Sequence, residues 1–295
     1  MNLGNFGMDT ITLAGPLESK LQASKAAGFS QIMLWAKDLA SYPGGLDQAV
    51  RVVKESGIRV TGIQVMRDFE GLSGALHEYK LDIAKNMLQL CKAVGAPLLM
   101  VCSTTSSHAD ADINLIAKHL AKLATLAVPL GVKVGFEALS WGRHINQYPQ
   151  SWEAVALADH ANLGVVLDSF HILANNTELD SLDDIPSHKI ALVQLSDYMW
   201  RDIRSAEERL ETARHLRVFP GEGTHSAELS EMLNRLDRAG YRGDFSFEVF
   251  NDDYLQLPPE IVARRAYLSA KWVTDQVLRR SLNVRERSAK HQMMA

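Results

Sequence analysis

Two cysteines, Cys91 and Cys102, are all that the 295-residue chain contains. Their spacing fits neither a zinc-ligand pair nor a disulfide framework, so the expected setting is the reducing cytoplasm. Basic charge is not in excess either. Lys and Arg number 31 against 35 Asp and Glu, a net charge of −4, which argues against nucleic acid as the main partner. No charged amino-terminal region leads into an apolar run, and no segment approaches the roughly 20 apolar residues of a membrane span, so no membrane contact is expected. A G-x-G-x-x-G following a strand is missing, which weakens a dinucleotide-binding reading. No glycine- or serine-rich linker divides the chain.

What is present is a regular beat. With 46% hydrophobic residues the chain can bury a large core, and strand-like runs alternate with helical patterns throughout. The strands expected are Asn5–Leu13, Gln31–Trp35, Arg59–Val65, Pro97–Cys102, Lys133–Glu137, Leu163–Asp168, Ile190–Ser196 and Phe245–Phe250. Helices are expected over Pro16–Ala27, Leu46–Ser56, Leu76–Val94, Asp110–Leu130, Ser151–Ala158, Ala206–His215, Ala227–Ala239 and Pro258–Val277. Several stop at a glycine, the usual carboxyl-terminal cap. Eight such units fit a single (β/α)8 TIM barrel over residues 1–278, of the α/β class, followed by a polar tail over 279–295.

Leu163-Gly164-Val165-Val166-Leu167-Asp168 reads as a strand buried on both faces that ends in a carboxylate. Such an Asp could equally cap the next helix. Three further strands, however, carry Glu137, Gln194 and Glu248 at or near their carboxyl ends. In a closed barrel these ends share one mouth. Three carboxylates there repel one another by several kcal/mol unless a positive charge intervenes. One divalent cation held by all four oxygen-bearing side chains resolves the conflict, and the absence of Cys and His from the set favours Mg, Mn or Co. The step from Gln194 to Glu248 is about twice either preceding step, and the surplus is the arginine-rich stretch 197–223. An insert of this kind after a barrel strand is commonly a substrate loop.

Glu137-Ala138-Leu139-Ser140-Trp141-Gly142-Arg143-His144, Leu167-Asp168-Ser169-Phe170-His171, Val193-Gln194-Leu195-Ser196-Asp197, Phe219-Pro220-Gly221-Glu222-Gly223 and Phe247-Glu248-Val249-Phe250-Asn251-Asp252 together resemble the xylose-isomerase-like barrel superfamily. Within it they are most similar to the bacterial 3-dehydroshikimate dehydratases, and Arg67-Asp68-Phe69-Glu70-Gly71 fits the same subgroup. The resemblance implies that Glu137, Asp168, Gln194 and Glu248 hold the divalent metal ion and that His171 is the general base. Gln194 is the discriminating ligand, because the superfamily's sugar epimerases and isomerases generally have His there. The sequence departs from the subgroup's pattern at Met33 and at Thr212-Ala213, where a serine precedes the Arg-His pair of relatives.

The implied reaction converts 3-dehydroshikimate to protocatechuate by enolisation, β-elimination of water and aromatisation. A Lewis acid beside the keto oxygen and a histidine titrating near neutrality suit such a proton abstraction. The substrate, a small carboxylated cyclic ketone, calls for arginines at the mouth, with Arg67, Arg143 and Arg214 as candidates. His144 is a candidate for a substrate hydroxyl, and Trp35, Trp141 and Phe219 for the pocket wall. The alternative is a keto-sugar or hydroxy-acid isomerase or epimerase on the same metal site, with Glu137 and Glu248 as acid and base. Assembly as a homo-oligomer is left open.

Overall fold

The computed structural model describes residues 2–278; the tail expected over 279–295 lies outside them. In chain order the main elements are β1 (Phe6–Asp9), α1 (Leu17–Ala27), β2 (Gln31–Trp35), α2 (Ala36–Ala40), α3 (Leu46–Ser56), β3 (Arg59–Met66), α4 (Gly74–Val94), β4 (Leu98–Cys102) and α5 (Ile113–Ala127). There follow β5 (Lys133–Glu137), α6 (Tyr148–Ala158), β6 (Leu163–Asp168), α7 (Ser169–Ala174), β7 (Ile190–Leu195), α8 (Ala206–His215), α9 (Ser226–Arg238), β8 (Phe245–Phe247) and α10 (Pro259–Trp272). The strands pair in parallel, each with its sequence neighbour, and β1 closes on β8 to give an eight-stranded barrel. This is the single (β/α)8 barrel expected from the pattern.

Strand periodicity sorts the side chains into two cores. On β6, Val165 and Leu167 join the large cluster between sheet and helices, while Val166 joins a smaller one with Met33, Leu98, Met100, Cys102 and Leu192 inside the barrel. Met33 is therefore lumen filling. The helices contribute apolar stripes to the outer core. On α4, Leu81, Ala84, Leu88 and Cys91 are buried on one face, and Gly95 at φ 73° ends the helix in a left-handed turn. By length and composition alone Ile113–Leu130 would suffice to cross a membrane. Here it belongs to the outer ring, with Ile116, Leu120, Leu123 and Ala127 buried in the barrel's outer core.

Two strands end sooner than the apolar pattern suggests, and side-chain hydrogen bonds explain both. β1 stops at Asp9 because Thr10 and Thr12 leave the ladder: Thr10 Oγ1 accepts the Trp35 amide at 2.8 Å, and Thr12 Oγ1 accepts the Val249 amide at 2.9 Å. β8 stops at Phe247 because the following backbone turns to pair with the insert, the Arg217 amide donating to the Phe250 carbonyl at 3.0 Å. Helix α7 forms where Asp168 Oδ1 accepts the Phe170 amide at 2.8 Å, so Asp168 does cap the helix that follows its strand. The last helix changes to π geometry over Val273–Leu278.

Candidate active site

Parallel register fixes the rim of the barrel. Asp168 pairs with Gln194, Gln194 with Ser246, and Glu137 with Val166. The alternation that sends Val166 and Leu192 into the lumen sends Asp168 and Gln194 there too, one pleat nearer the carboxyl end. By the same count Asp9, Gln64, Cys102, Glu137 and Glu248 face inward. All seven are buried. Above them opens a cavity of about 360 Å³ lined by Glu137, Glu248, His171, Arg67, Arg214 and Arg217, with Trp35, Trp141 and Leu139 among its walls.

Arg217 is the cation that holds this acidic rim together. It is 2% exposed, and its Nη1 donates to Asp168 Oδ2 at 2.7 Å and to Glu248 Oε2 at 3.2 Å. Nε donates to the Ala213 carbonyl at 2.9 Å, and the guanidinium lies 4.5 Å over the Phe170 ring. A buried guanidinium needs this many partners to offset its lost hydration. Even so, one arginine is not enough for the group. Burial, then Asp168 and Glu248, push the Glu137 carboxyl well above its ordinary range. Burial pushes Glu248 up to about 7 against the pull of Arg217.

Two buried oxygens at this rim, Glu137 Oε1 and Gln194 Oε1, have no hydrogen-bond partner. The other atoms of the same groups are engaged: the Cys102 thiol donates to Glu137 Oε2 at 2.8 Å, and Gln194 Nε2 donates to Asp9 Oδ2 at 2.8 Å. Unsatisfied buried acceptors beside crowded carboxylates are what an oxygen-ligated divalent cation would satisfy, so the residues present fit such an ion. Among the described residues, Glu137, Asp168 and His171 each offer an atom within 4.8 Å of the others'.

His171 is buried on α7. Its Nδ1 accepts the Ser140 amide at 3.1 Å and lies 3.1 Å from Ser140 Oγ, while Nε2 is 3.6 Å from Asp168 Oδ2. Accepting the amide places the ring's one proton on Nε2, so in this arrangement His171 offers a proton rather than a metal-binding lone pair. The expectation of a near-neutral histidine is corrected: burial pushes its pKa down to about 3, with Asp168 opposing and Arg217 reinforcing the shift.

Arg67 and Arg214 line the cavity, as do Trp35 and Trp141. Arg143 and His144 do not. Arg143 is exposed on the loop after β5, anchored through its amide to the Thr104 carbonyl at 2.7 Å, and His144 Nε2 lies 3.0 Å from the Ala109 carbonyl. Phe219 is core, stacked on Tyr254. Sequence reasoning missed Arg217, Ser140, Asp9 and Gln64. Asp9 and Gln64 carried a usable signal, a polar residue near the carboxyl end of an apolar strand. Arg217 carried only its place between Leu216 and Val218.

The sequence matches the family model for the xylose isomerase-like TIM barrel over residues 21–271. It is 38% identical over 249 residues to a 3-dehydroshikimate dehydratase of Pseudomonas putida, covering 84% of this chain and 38% of that protein. It thus spans about two fifths of the length of that relative. An inosose isomerase of Halalkalibacterium halodurans is 26% identical over 225 residues, 75% of this chain and 77% of that protein. Among solved structures, a xylose isomerase-like TIM barrel/4-hydroxyphenylpyruvate dioxygenase fusion protein superposes with a TM-score of 0.87 at 35% identity, covering 95% of this chain and 44% of that one. With the barrel, its acidic rim and these likenesses in hand, the chain belongs to the xylose isomerase-like TIM-barrel family.

Proposed function

We propose that this barrel is a hydro-lyase that dehydrates 3-dehydroshikimate to protocatechuate in the cytoplasm with the help of one divalent cation, Mg, Mn or Co. The observation that carries the reading is the pair of unpartnered oxygens, Glu137 Oε1 and Gln194 Oε1, at a rim beneath a cavity to whose largely apolar lining Arg67, Arg214 and Arg217 contribute. The name of the Pseudomonas relative, at 38% identity, supplies the substrate. Glu137, Asp168, Gln194 and Glu248 would hold the cation, which when bound supplies a Lewis acid to polarise the keto oxygen.

The chain's own groups then have definite tasks. Arg67 and Arg214, exposed at the mouth, receive the substrate carboxylate through their planar forks. Trp35 and Trp141 flank the ring, while Arg143 and His144 lie outside the cavity lining. His171 takes the proton α to the ketone, with Asp168, 3.6 Å from its Nε2, opposing the effect of burial and favouring the charged ring. For that it must present its lone pair on Nε2, which requires the tautomer whose Nδ1–H donates to Ser140 Oγ, already 3.1 Å away. The imidazolium so formed faces Asp168. The C–H electron pair forms the enolate double bond, whose collapse breaks the β C–O bond; the imidazolium returns its proton to the departing hydroxyl, which leaves as water, and tautomerisation gives the catechol acid.

The test is direct. The purified protein given 3-dehydroshikimate and Mn²⁺ is expected to produce a new near-ultraviolet aromatic absorbance, lost on chelation and absent in Glu137→Ala and Asp168→Ala. No absorbance from 3-dehydroshikimate, together with turnover of a keto-sugar or inosose, would replace this reading with the isomerase one. That alternative draws on the presence of both Glu137 and Glu248 in the cavity wall and on the inosose isomerase likeness.

A further inference from the structure

We propose that Asp9, the last residue of β1, sets which way the Gln194 amide faces and thereby aims its carbonyl oxygen at the carboxylate cluster. Asp9 would be a positioning residue for the cation site. The inference rests on the metal-site reading above and deepens it.

An amide can enter a cation site by its oxygen only, so a glutamine ligand is useful in one of its two orientations and repulsive in the other. The structure shows what selects between them. Gln194 Nε2 donates to Asp9 Oδ2 at 2.8 Å and approaches Gln64 Oε1 at 3.4 Å, both of them acceptors. Turned over, the amide would give up both contacts and set its oxygen beside Asp9 Oδ2 and Gln64 Oε1. Asp9 is itself held. The Ser246 hydroxyl donates to its Oδ1, and Gln64 Nε2 donates to its Oδ2 at 3.3 Å. It is fully buried, with no solvent to compete for these bonds. The order of strands around the barrel gives the direction. Asp9 on β1 lies beyond β8 from Gln194, whereas Asp168 on β6 and Glu137 on β5 lie on the opposite side. With the nitrogen drawn toward β1, the free oxygen is left toward Asp168 and Glu137, and it has no other partner. Outer residues that orient a metal ligand typically matter by 10- to 100-fold in metal affinity.

Mn²⁺ affinity of the full chain, read from the electron paramagnetic resonance signal of free Mn²⁺, tests this without any substrate. Asp9→Ala is expected to weaken Mn²⁺ binding at least tenfold, whereas Asp9→Asn, which can still offer an oxygen to Gln194 Nε2, stays within about threefold of the parent. Gln194→Ala should lose at least as much as Asp9→Ala, and the double variant should lose no more than Gln194→Ala alone, since Asp9 acts through Gln194. If Asp9→Ala does not fold by circular dichroism, Asp9→Leu, which has the shape of Asp but no acceptor, carries the same expectation. Losses that add in the double variant, or an Asp9→Ala affinity equal to the parent's, overturn the inference. A parent protein that binds no Mn²⁺ instead overturns the metal-site reading on which it rests.

Discussion

At the scale of single residues the site is a balance between one buried guanidinium and the carboxylates around it. Arg217 pairs with Asp168 and Glu248 but reaches neither Glu137 Oε1 nor Gln194 Oε1. His171 depends on Ser140, whose amide and hydroxyl favour opposite tautomers. His171→Ala is therefore expected to lower turnover of 3-dehydroshikimate at least a hundredfold with Mn²⁺ affinity retained. Ser140→Ala should lower it roughly tenfold, because the base-competent tautomer loses its acceptor. Equal kcat in either variant would place the base elsewhere. Glu70, below Arg67 in the same loop, offers a separate test. Burial pushes its carboxyl up to about 7, although the Thr104 amide donates to it. A carboxyl whose folded pKa is raised stabilises the fold fully below pH 4.5, and that contribution is lost as pH rises toward 7. Glu70→Gln should therefore gain stability over the parent progressively between those pH values, by on the order of 3 kcal/mol at the upper end. Parallel pH profiles from chemical denaturation would show that Glu70 does not titrate this way.

At the scale of elements, the loop after β5 does the positioning. Gly142 sits in a turn closed by its amide on the Leu139 carbonyl at 2.7 Å, and Leu139 is tied to Ser103 Oγ at 3.0 Å. A Cβ on Gly142 would lie 2.0 Å from the Ile145 carbonyl oxygen and 2.6 Å from Ser103 Oγ, so the turn has to open. Gly142→Ala is expected to cost about 2 kcal/mol of stability and to reduce kcat more than it raises KM, since Ser140 moves from His171 while Arg67 and Arg214 stay. A variant with parental kcat and melting temperature would contradict this. The strands and long helices were legible in the sequence because their signal is local: β2, β5, β6 and α3 have the bounds that alternation and glycine stops suggest. β1 and β8 were read too long because the threonines and the insert that divert them act across the barrel. For the same reason Asp9 was read as mid-strand, and its tie to Gln194 went unseen.

At the scale of the whole molecule, the barrel collects charges that no local segment would tolerate together. A cation that binds only the folded protein stabilises it by about 2.7 kcal/mol at a hundredfold excess over its Kd, which for a domain of this size is a rise of roughly 5 °C or more. Mn²⁺ is expected to raise the melting temperature by that amount in the parent and to leave Asp168→Ala unmoved. An identical rise in both would mean that the ion binds elsewhere.

The sequence by itself determined the alternation of strand and helix, the closure into one barrel and the placing of Glu137, Asp168, Gln194 and Glu248 at a common rim. Each follows from periods of 2 and 3.6 residues read over short windows. Only the tertiary structure decided that Arg217 neutralises two of them, that Ser140 governs His171, and that Arg143 and His144 turn away while Arg67 and Arg214 stay at the mouth. Those outcomes depend on which buried charge and which hydrogen-bond acceptor come within 3 or 4 Å of each other across strands and loops far apart in the chain. Periodicity carries no information about that.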